Sequence, residues 1–364
     1  MVAIRQILVD WGRIGVVGFG GPPAHIRLLR ELCVERNEWI DPTEFEDAIA
    51  ACNLLPGPAS TQLSIWSAWR VGGRLGGLVG GLAFIVPGFA AILGLSMLFL
   101  SGHPPRWILG AGAGAGAAVA AVALHAGWSL TPTSWTRAPS RVRWVAYVLA
   151  GVVATAIVGP WVVVALLGCG LVELVWSLAR LRPARPGRPT VGAWAIPALL
   201  WTAVKVGALS YGGGFVIIPL MRGDAVDKYR WLTSQRFLDA VALGQITPGP
   251  VVHTVGAVGY AAAGAPGAVL AALVAFTPSF LFVLFGAPML DRIRGALGPR
   301  AFLAGAGPAA IGAILGSSIP LARALTEPWQ WVVLVSAGIL LFIGRVGVVP
   351  TLLVAAAAGL LAVA

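Results

Sequence analysis

Apolar runs follow one another along the whole chain, with short polar punctuation between them. In the first half they cover roughly 3–20, 45–70, 75–100, 107–130, 143–158 and 160–179. Runs of this length and composition read as helices at home in a bilayer. Two stretches break the pattern from within. "CNLLPGPASTQ", from Cys52 to Gln62, places Pro-Gly-Pro inside an otherwise continuous apolar helix, and "GQITPGPVVHT", from Gly244 to Thr254, does so again. Proline removes an amide donor and clashes with the preceding turn, and glycine permits a sharp reversal, so both helices must break there.

The second break belongs to a second copy of the whole pattern. Shifting the first half by 192 positions superimposes Phe19-Gly20-Gly21 on Tyr211-Gly212-Gly213, Trp39 on Trp231, Asp47 on Asp239 and Phe84 on Phe276, and aligns the two Pro-Gly-Pro triplets. Arg13 falls on Lys205, and eight of the twenty positions from 39 to 58 are identical. Such a two-fold repeat is a mark of secondary transporters. The divisions are an N-terminal repeat over 1–178, a basic linker over 179–191 and a C-terminal repeat over 192–364; "ARLRPARPGRPT" within the linker holds four arginines and three prolines.

Arginine placement bears on relative orientation. The loop Arg70–Arg74 has two arginines and its partner Ala262–Pro266 none. Arg137–Arg143 has three against none at Thr326–Gln330, while Ser101–Arg106 has one against three at Asp291–Arg300. The positive side therefore exchanges between the halves, which predicts inverted topology. Inversion needs an odd number of crossings per half. Of six apolar segments, one must fail to cross, and the one holding Pro-Gly-Pro is the candidate. The predicted fold is an all-α polytopic membrane protein of two inverted-topology repeats. Each repeat has about five transmembrane helices and a re-entrant Pro-Gly-Pro hairpin, with the linker cytoplasmic and both termini outside.

Composition narrows the class. The chain is 58% hydrophobic and 11% charged, with a mean hydropathy of +0.87, which excludes an ordinary soluble domain. The net charge is +11, from 23 arginines and the two lysines Lys205 and Lys228. Most arginines flank apolar segments, so topology explains them and nucleic acid does not. Cys33, Cys52 and Cys169 have neither metal-ligand spacing nor an even number, so no disulfide framework and no metal site is expected. The apolar start has no small-residue cleavage site and reads as a retained helix.

The breaks carry the candidate chemistry. A helix start exposes free N–H groups and the positive end of the helix dipole, and so suits an anion. Four such starts are expected: after the aromatic-Gly-Gly breaks, at Pro22 and Gly214, and after Pro-Gly-Pro, at Ala59–Thr61 and Val251–His253. Ser60, Thr61 and Gln62 follow the first break, His253 and Thr254 the second. Asn53 and Gln245 precede them at matching positions. With Arg13 and Lys205 adding positive charge, the set fits a small oxyanion. The expected binding residues are Arg13, Gly20, Gly21, His25, Asn53, Pro56, Gly57, Pro58, Ala59, Ser60, Thr61, Lys205, Gly212, Gly213, Gln245, Pro248, Gly249, Pro250, Val252 and His253. Asp47 and Asp239 fit a proton relay and a helix start equally well. "GAGAGAGAAVAAVAL", from Gly110, follows no strand, so it is read as helix packing and not as a nucleotide loop. Neither a hydrolase nor an ATP-binding motif is present, so no enzyme and no cofactor is expected.

"FGGPPAHIRLLRELCVERNEWID" from Phe19, "LLPGPASTQLSI" from Leu54, "YGGGFVIIPLM" and "ITPGPVVHTVGAVGY" resemble the chromate ion transporter family in its long, two-domain form. The resemblance runs over essentially the whole chain. It implies a multi-pass bacterial inner-membrane carrier that exports chromate and confers chromate resistance, with sulfate as a look-alike oxyanion. It also carries motif roles onto Phe19, Gly20, Gly21, Pro22, Ala24, His25, Glu31, Arg36 and Pro56-Gly57-Pro58. In the second half the matching positions are Tyr211, Gly212, Gly213, Gly214, Pro219 and Pro248-Gly249-Pro250. His253 and Asn53 depart from the family's usual residues. A sulfate or other oxyanion importer or exchanger, an anion channel of the same fold, and a homodimer stay open.

Overall fold

The first apolar run folds as α1 (Ile4–Val17), bends at the aromatic-Gly-Gly break, and continues as α2 (Pro22–Arg30) and a π-helical turn, Glu31–Arg36. The structure, a computed structural model, describes residues 2–19, 21–52, 57–100, 105–136, 138–158, 162–179, 195–208, 217–286 and 297–363. Every regular element among them is helical. α1 has 14 residues, about 21 Å of helix against a hydrocarbon core of about 30 Å. Its start is pinned by Val2 N–H donating to the Val71 carbonyl at 2.9 Å. Midway, the Trp11 indole donates to the Ser64 carbonyl at 2.9 Å and stacks on Trp39. Since Trp39 follows α2, the chain has come back alongside α1. α1 and α2 form a hairpin.

A second hairpin follows. α3 (Pro42–Cys52) is started by Asp41, whose carboxylate accepts from the Thr43 and Glu44 amides at 2.8 and 3.3 Å. Those bonds favour the charged form and hold the Asp41 carboxyl below its ordinary range. α4 (Ala59–Phe99) kinks at Gly73, where φ is 65°, leaving a short limb, Ala59–Gly72, and a long limb, Arg74–Phe99. Arg70 Nε pairs with Glu44 Oε1 at 2.5 Å. The pair ties the end of the short limb to the start of α3, so the two run antiparallel with Pro-Gly-Pro at the far end. The long limb folds back over the short one, with Gly77 against Trp69 and Gly81 against Ile65.

The second half repeats these turns. It contains α8 (Ala195–Ala208), α9 (Ile217–Arg222), a π-helical turn at Gly223–Lys228, α10 (Ser234–Ile246) and α11 (Thr254–Gly286), kinked at Ala263–Gly264. Left-handed backbone recurs at matching places: Glu38 and Arg230 at φ 49° and 54°, Gly57 and Gly249 at φ 124° and 92°. The two long limbs pass antiparallel, with Gly77 meeting Leu284 and Gly81 meeting Phe280. The Arg236 guanidinium donates to the Phe99 carbonyl. α10 therefore starts at the end of the bundle where α4 finishes, opposite the end where α3 starts.

The remaining helices surround this centre: α5 (Arg106–Thr136), α6 (Arg141–Val153), α7 (Val162–Ala179), α12 (Leu297–Arg323), α13 (Pro328–Phe342) and α14 (Val348–Val363). Small residues let them meet backbone to backbone, Gly110 and Gly114 against Gly359, Gly312 against Val148 and Gly151 against Ala309. The glycine-rich stretch from Gly110 thus serves packing. Glu173, 2% exposed, accepts both Arg143 nitrogens at 3.0 and 3.1 Å and the Tyr147 hydroxyl at 2.8 Å, which locks α6 to α7. Among the described residues four helices are long and apolar enough to cross a membrane. The outward faces of the bundle are apolar, as at Val142, Val175, Val332 and Leu361.

Two expectations need correction. The segment 3–20 does not run the length of the bundle, because α1 is too short and the chain reverses after Gly18. Nor do the termini share a side: Val2 lies beside Val71, whereas Val363 lies against Gly110 at the end where Phe99 meets Gly112. Hydropathy cannot separate a buried hairpin limb from a span, since both are apolar. The linker 179–191 falls outside the described residues except for Ala179.

Candidate functional site

Each Pro-Gly-Pro break is seated against the other half of the chain. A side chain at Gly57 would meet Ser279 Oγ at 3.0 Å and the Gly207 carbonyl at 3.4 Å. A side chain at Gly88, on the long limb of α4, would collide with the Pro248 carbonyl at 2.0 Å and the His253 ring at 2.8 Å. At the centre, Gly249 N–H donates to the Gly18 carbonyl at 3.0 Å. That carbonyl also takes a bond from His25 Nε2 at 2.8 Å, while His25 Nδ1 lies 3.2 Å from Ser60 Oγ. With Nε2 donating, Nδ1 accepts from the Ser60 hydroxyl. His25 stands edge-on to Phe84 and His253 edge-on to Phe276, which are repeat counterparts.

The surroundings are closed. Residues 57–68 and 249–259 are all buried. Pro58 and Pro250 precede the two helix starts, and no side chain caps either. The first-turn amides therefore have no side-chain acceptor. Several buried polar atoms near the breaks also lack a partner: Thr61 Oγ1, Ser279 Oγ, Gln245 Nε2 and both ring nitrogens of His253. The Pro248 and Ile85 carbonyls lie beside the His253 ring without completing a bond to it.

Of the expected residues, Gly57, Pro58, Ala59, Ser60, Thr61, Gln245, Pro248, Gly249, Pro250, Val252 and His253 lie at the breaks, and His25 joins them across the hairpin bend. Gly21 sits at that bend with φ 73°. Gly20, Asn53, Pro56, Gly212 and Gly213 lie outside the described residues. The two expected cations, Arg13 and Lys205, lie on α1 and α8. Arg13 is exposed on α1. Lys205 is held by Asp224 at 2.5 Å, and Asp224, 2% exposed, also accepts from Thr202 at 2.8 Å. A lysine so engaged is not a free counter-charge. Ser279, Asp224 and the Gly18 carbonyl were not among the candidates. For Ser279 the available signal was a pair of hydroxyls, Thr277 and Ser279, flanking Pro278 in an apolar run.

Helix breaks converging at the middle of an apolar, glycine-packed bundle define a multi-pass membrane protein of the transporter class. The chain belongs to the chromate transporter family, whose model matches residues 5–174 and 197–362. It is 32% identical over 335 residues to the chromate transport protein of Cupriavidus metallidurans, covering 88% of this chain and 83% of that protein. It is 30% identical over 341 residues to a probable chromate transport protein of Synechococcus elongatus, covering 88% and 85%. With the chromate transport protein of Pseudomonas aeruginosa the identity is 29% over 353 residues, covering 88% and 82%. No solved structure matches the chain.

Proposed function

We propose that the protein is a secondary transporter that moves chromate, a tetrahedral dianion, out of the cell across a bacterial inner membrane. The two halves act as inverted repeats, and each inserts its Pro-Gly-Pro segment as a re-entrant hairpin. The antiparallel long limbs, the Arg70–Glu44 tie and the entry of α10 from the opposite end support that reading. Irregular backbone of this kind survives at membrane depth where protein surrounds it, as it does here. The single observation that carries the substrate class is the pair of buried, uncapped helix starts at Ala59 and Val251. Amides and hydroxyls there hold the oxygens of the anion, and they are joined by Thr61, Ser279 and His253. Neutral donors replace the hydration shell, without the two cations the sequence suggested.

Direction follows from charge. With the interior negative, outward movement of a dianion is favoured by about 2.3 kcal/mol per charge for each 100 mV, so export needs no ATP. The halves rock against each other to open the site to either side. The test is transport of labelled chromate in inverted vesicles. Saturable, potential-dependent accumulation that sulfate competes with is expected. Accumulation of sulfate with chromate acting only as an inhibitor would reverse the substrate assignment, and large single-channel currents would replace the carrier with a channel.

A further inference from the structure

Asp239, midway along α10, is 6% exposed, and its Oδ1 has no hydrogen-bond partner. Gln235, one turn earlier, lies beside it without completing a bond, and both of its amide atoms are likewise unpartnered. Opposite stand Gly112 and Gly116, one turn apart on α5. A side chain at Gly112 would come within 3.3 Å of Oδ1, and one at Gly116 within 3.4 Å. The two glycines form a notch in the face of α5 that receives the carboxyl group. The repeat counterpart, Asp47, is only half-buried, so the second half alone has drawn this acid inside.

Burying a charged carboxylate with an oxygen left unpartnered costs several kcal/mol, and ionisable groups kept at such places mark ion or proton pathways. A proton can bind Oδ1 without any further ligand beside it. The elements packed on α10 bring few charges. α5 carries Arg106 and His125, α4 carries Arg70 and Arg74, and α9 with its following turn carries Arg222, Asp224, Asp227 and Lys228. α11 and the turn before it add only Tyr260 and His253, and α14 adds none. The charge that acts on Asp239 is Arg236 on its own helix, and that guanidinium is already engaged by the Phe99 carbonyl.

We propose that Asp239 takes up and releases one proton in each transport cycle and so couples oxyanion movement to the proton gradient. This rests on the transport reading above. α10 runs from Asp239 straight to the second break, so a change of charge in the notch alters how that break is seated.

The experiment uses the full-length protein in liposomes loaded with a fluorescent pH indicator, with sulfate and chromate added in turn. In the wild type, added substrate drives a pH change inside the vesicles. Asp239→Asn is expected to reduce that change to the level of empty liposomes while still exchanging labelled substrate, which requires no net proton step. Proton movement by D239N equal to that of the wild type overturns the proposal, as does wild-type transport with no proton movement. Wild-type vesicles that move neither anion would overturn the transport reading instead. If D239N fails to fold, Gly112→Ala serves, because its methyl group presses on the carboxyl group. An unchanged pH dependence of transport in G112A then overturns the proposal, and a shifted one supports it.

Discussion

Removing Lys205 tests whether it serves the substrate or Asp224. The Asp224 carboxylate is 2% exposed and its partners are Lys205 at 2.5 Å and the Thr202 hydroxyl at 2.8 Å. Lys205→Met leaves that carboxylate with one neutral donor. Breaking a buried pair from one side costs about 3–5 kcal/mol, because the remaining charge stays buried. Removing both charges together is often neutral, so Lys205→Met with Asp224→Asn recovers most of the loss, and the asparagine oxygen still accepts from Thr202. The assay has two parts: thermal unfolding in detergent and saturation of chromate or sulfate transport in vesicles. The single variant unfolds at a clearly lower temperature or fails to accumulate. The double variant regains wild-type stability and transports with a KM within about threefold of wild type, a difference of roughly 0.6 kcal/mol. A double variant that is stable yet binds no anion would refute the reasoning and restore Lys205 to the binding site.

Three further outcomes are expected. Gly57→Ala and Gly249→Ala each force a side chain into left-handed backbone at φ 124° and 92°, costing about 1–3 kcal/mol before the collision with Ser279 or His253. Both should lower stability and abolish transport, and wild-type uptake in either would show that the breaks are not part of the site. Single cysteines beside Val2 and Arg74 in a background without native cysteines should react with a membrane-impermeant reagent from the same side, and a cysteine at Val363 from the other. Labelling of positions 2 and 74 from different sides would contradict the α1–α2 hairpin. Glu173→Ala strips Arg143 and Tyr147 of their shared acceptor and should cost about 3 kcal/mol, read as a lowered unfolding temperature with the ratio of chromate to sulfate transport unchanged.

The recurrence of turns was legible, because an offset of 192 aligns turn-forming residues, and those residues favour the same backbone where they recur. Glu38 and Arg230 go further: their side chains differ, yet both sit in left-handed backbone, held there by the matching elements around them. The breaks were legible because proline and glycine act locally. The partners of charged residues were not. Arg13 and Lys205 occupy matching positions, but whether each faces outward or toward an acid depends on the helix face and on Asp224, nineteen residues further along the chain. The first segment misled for a related reason: an apolar run of eighteen residues has the length of a span, and only the return of Trp39 to Trp11 reveals the reversal. Ser279 and the Gly18 carbonyl become visible only when the far limb of one half is laid against the break of the other.

The bond from Gly249 N–H to the Gly18 carbonyl crosses from one half of the chain to the other. Any relative motion of the halves must carry it along or sever it. A backbone bond is worth about 0.5–1.5 kcal/mol net, and such a penalty slows a step by roughly tenfold or less. The clasp is therefore strong enough to favour one resting arrangement of the halves, and weak enough to add little to the barrier between that arrangement and another.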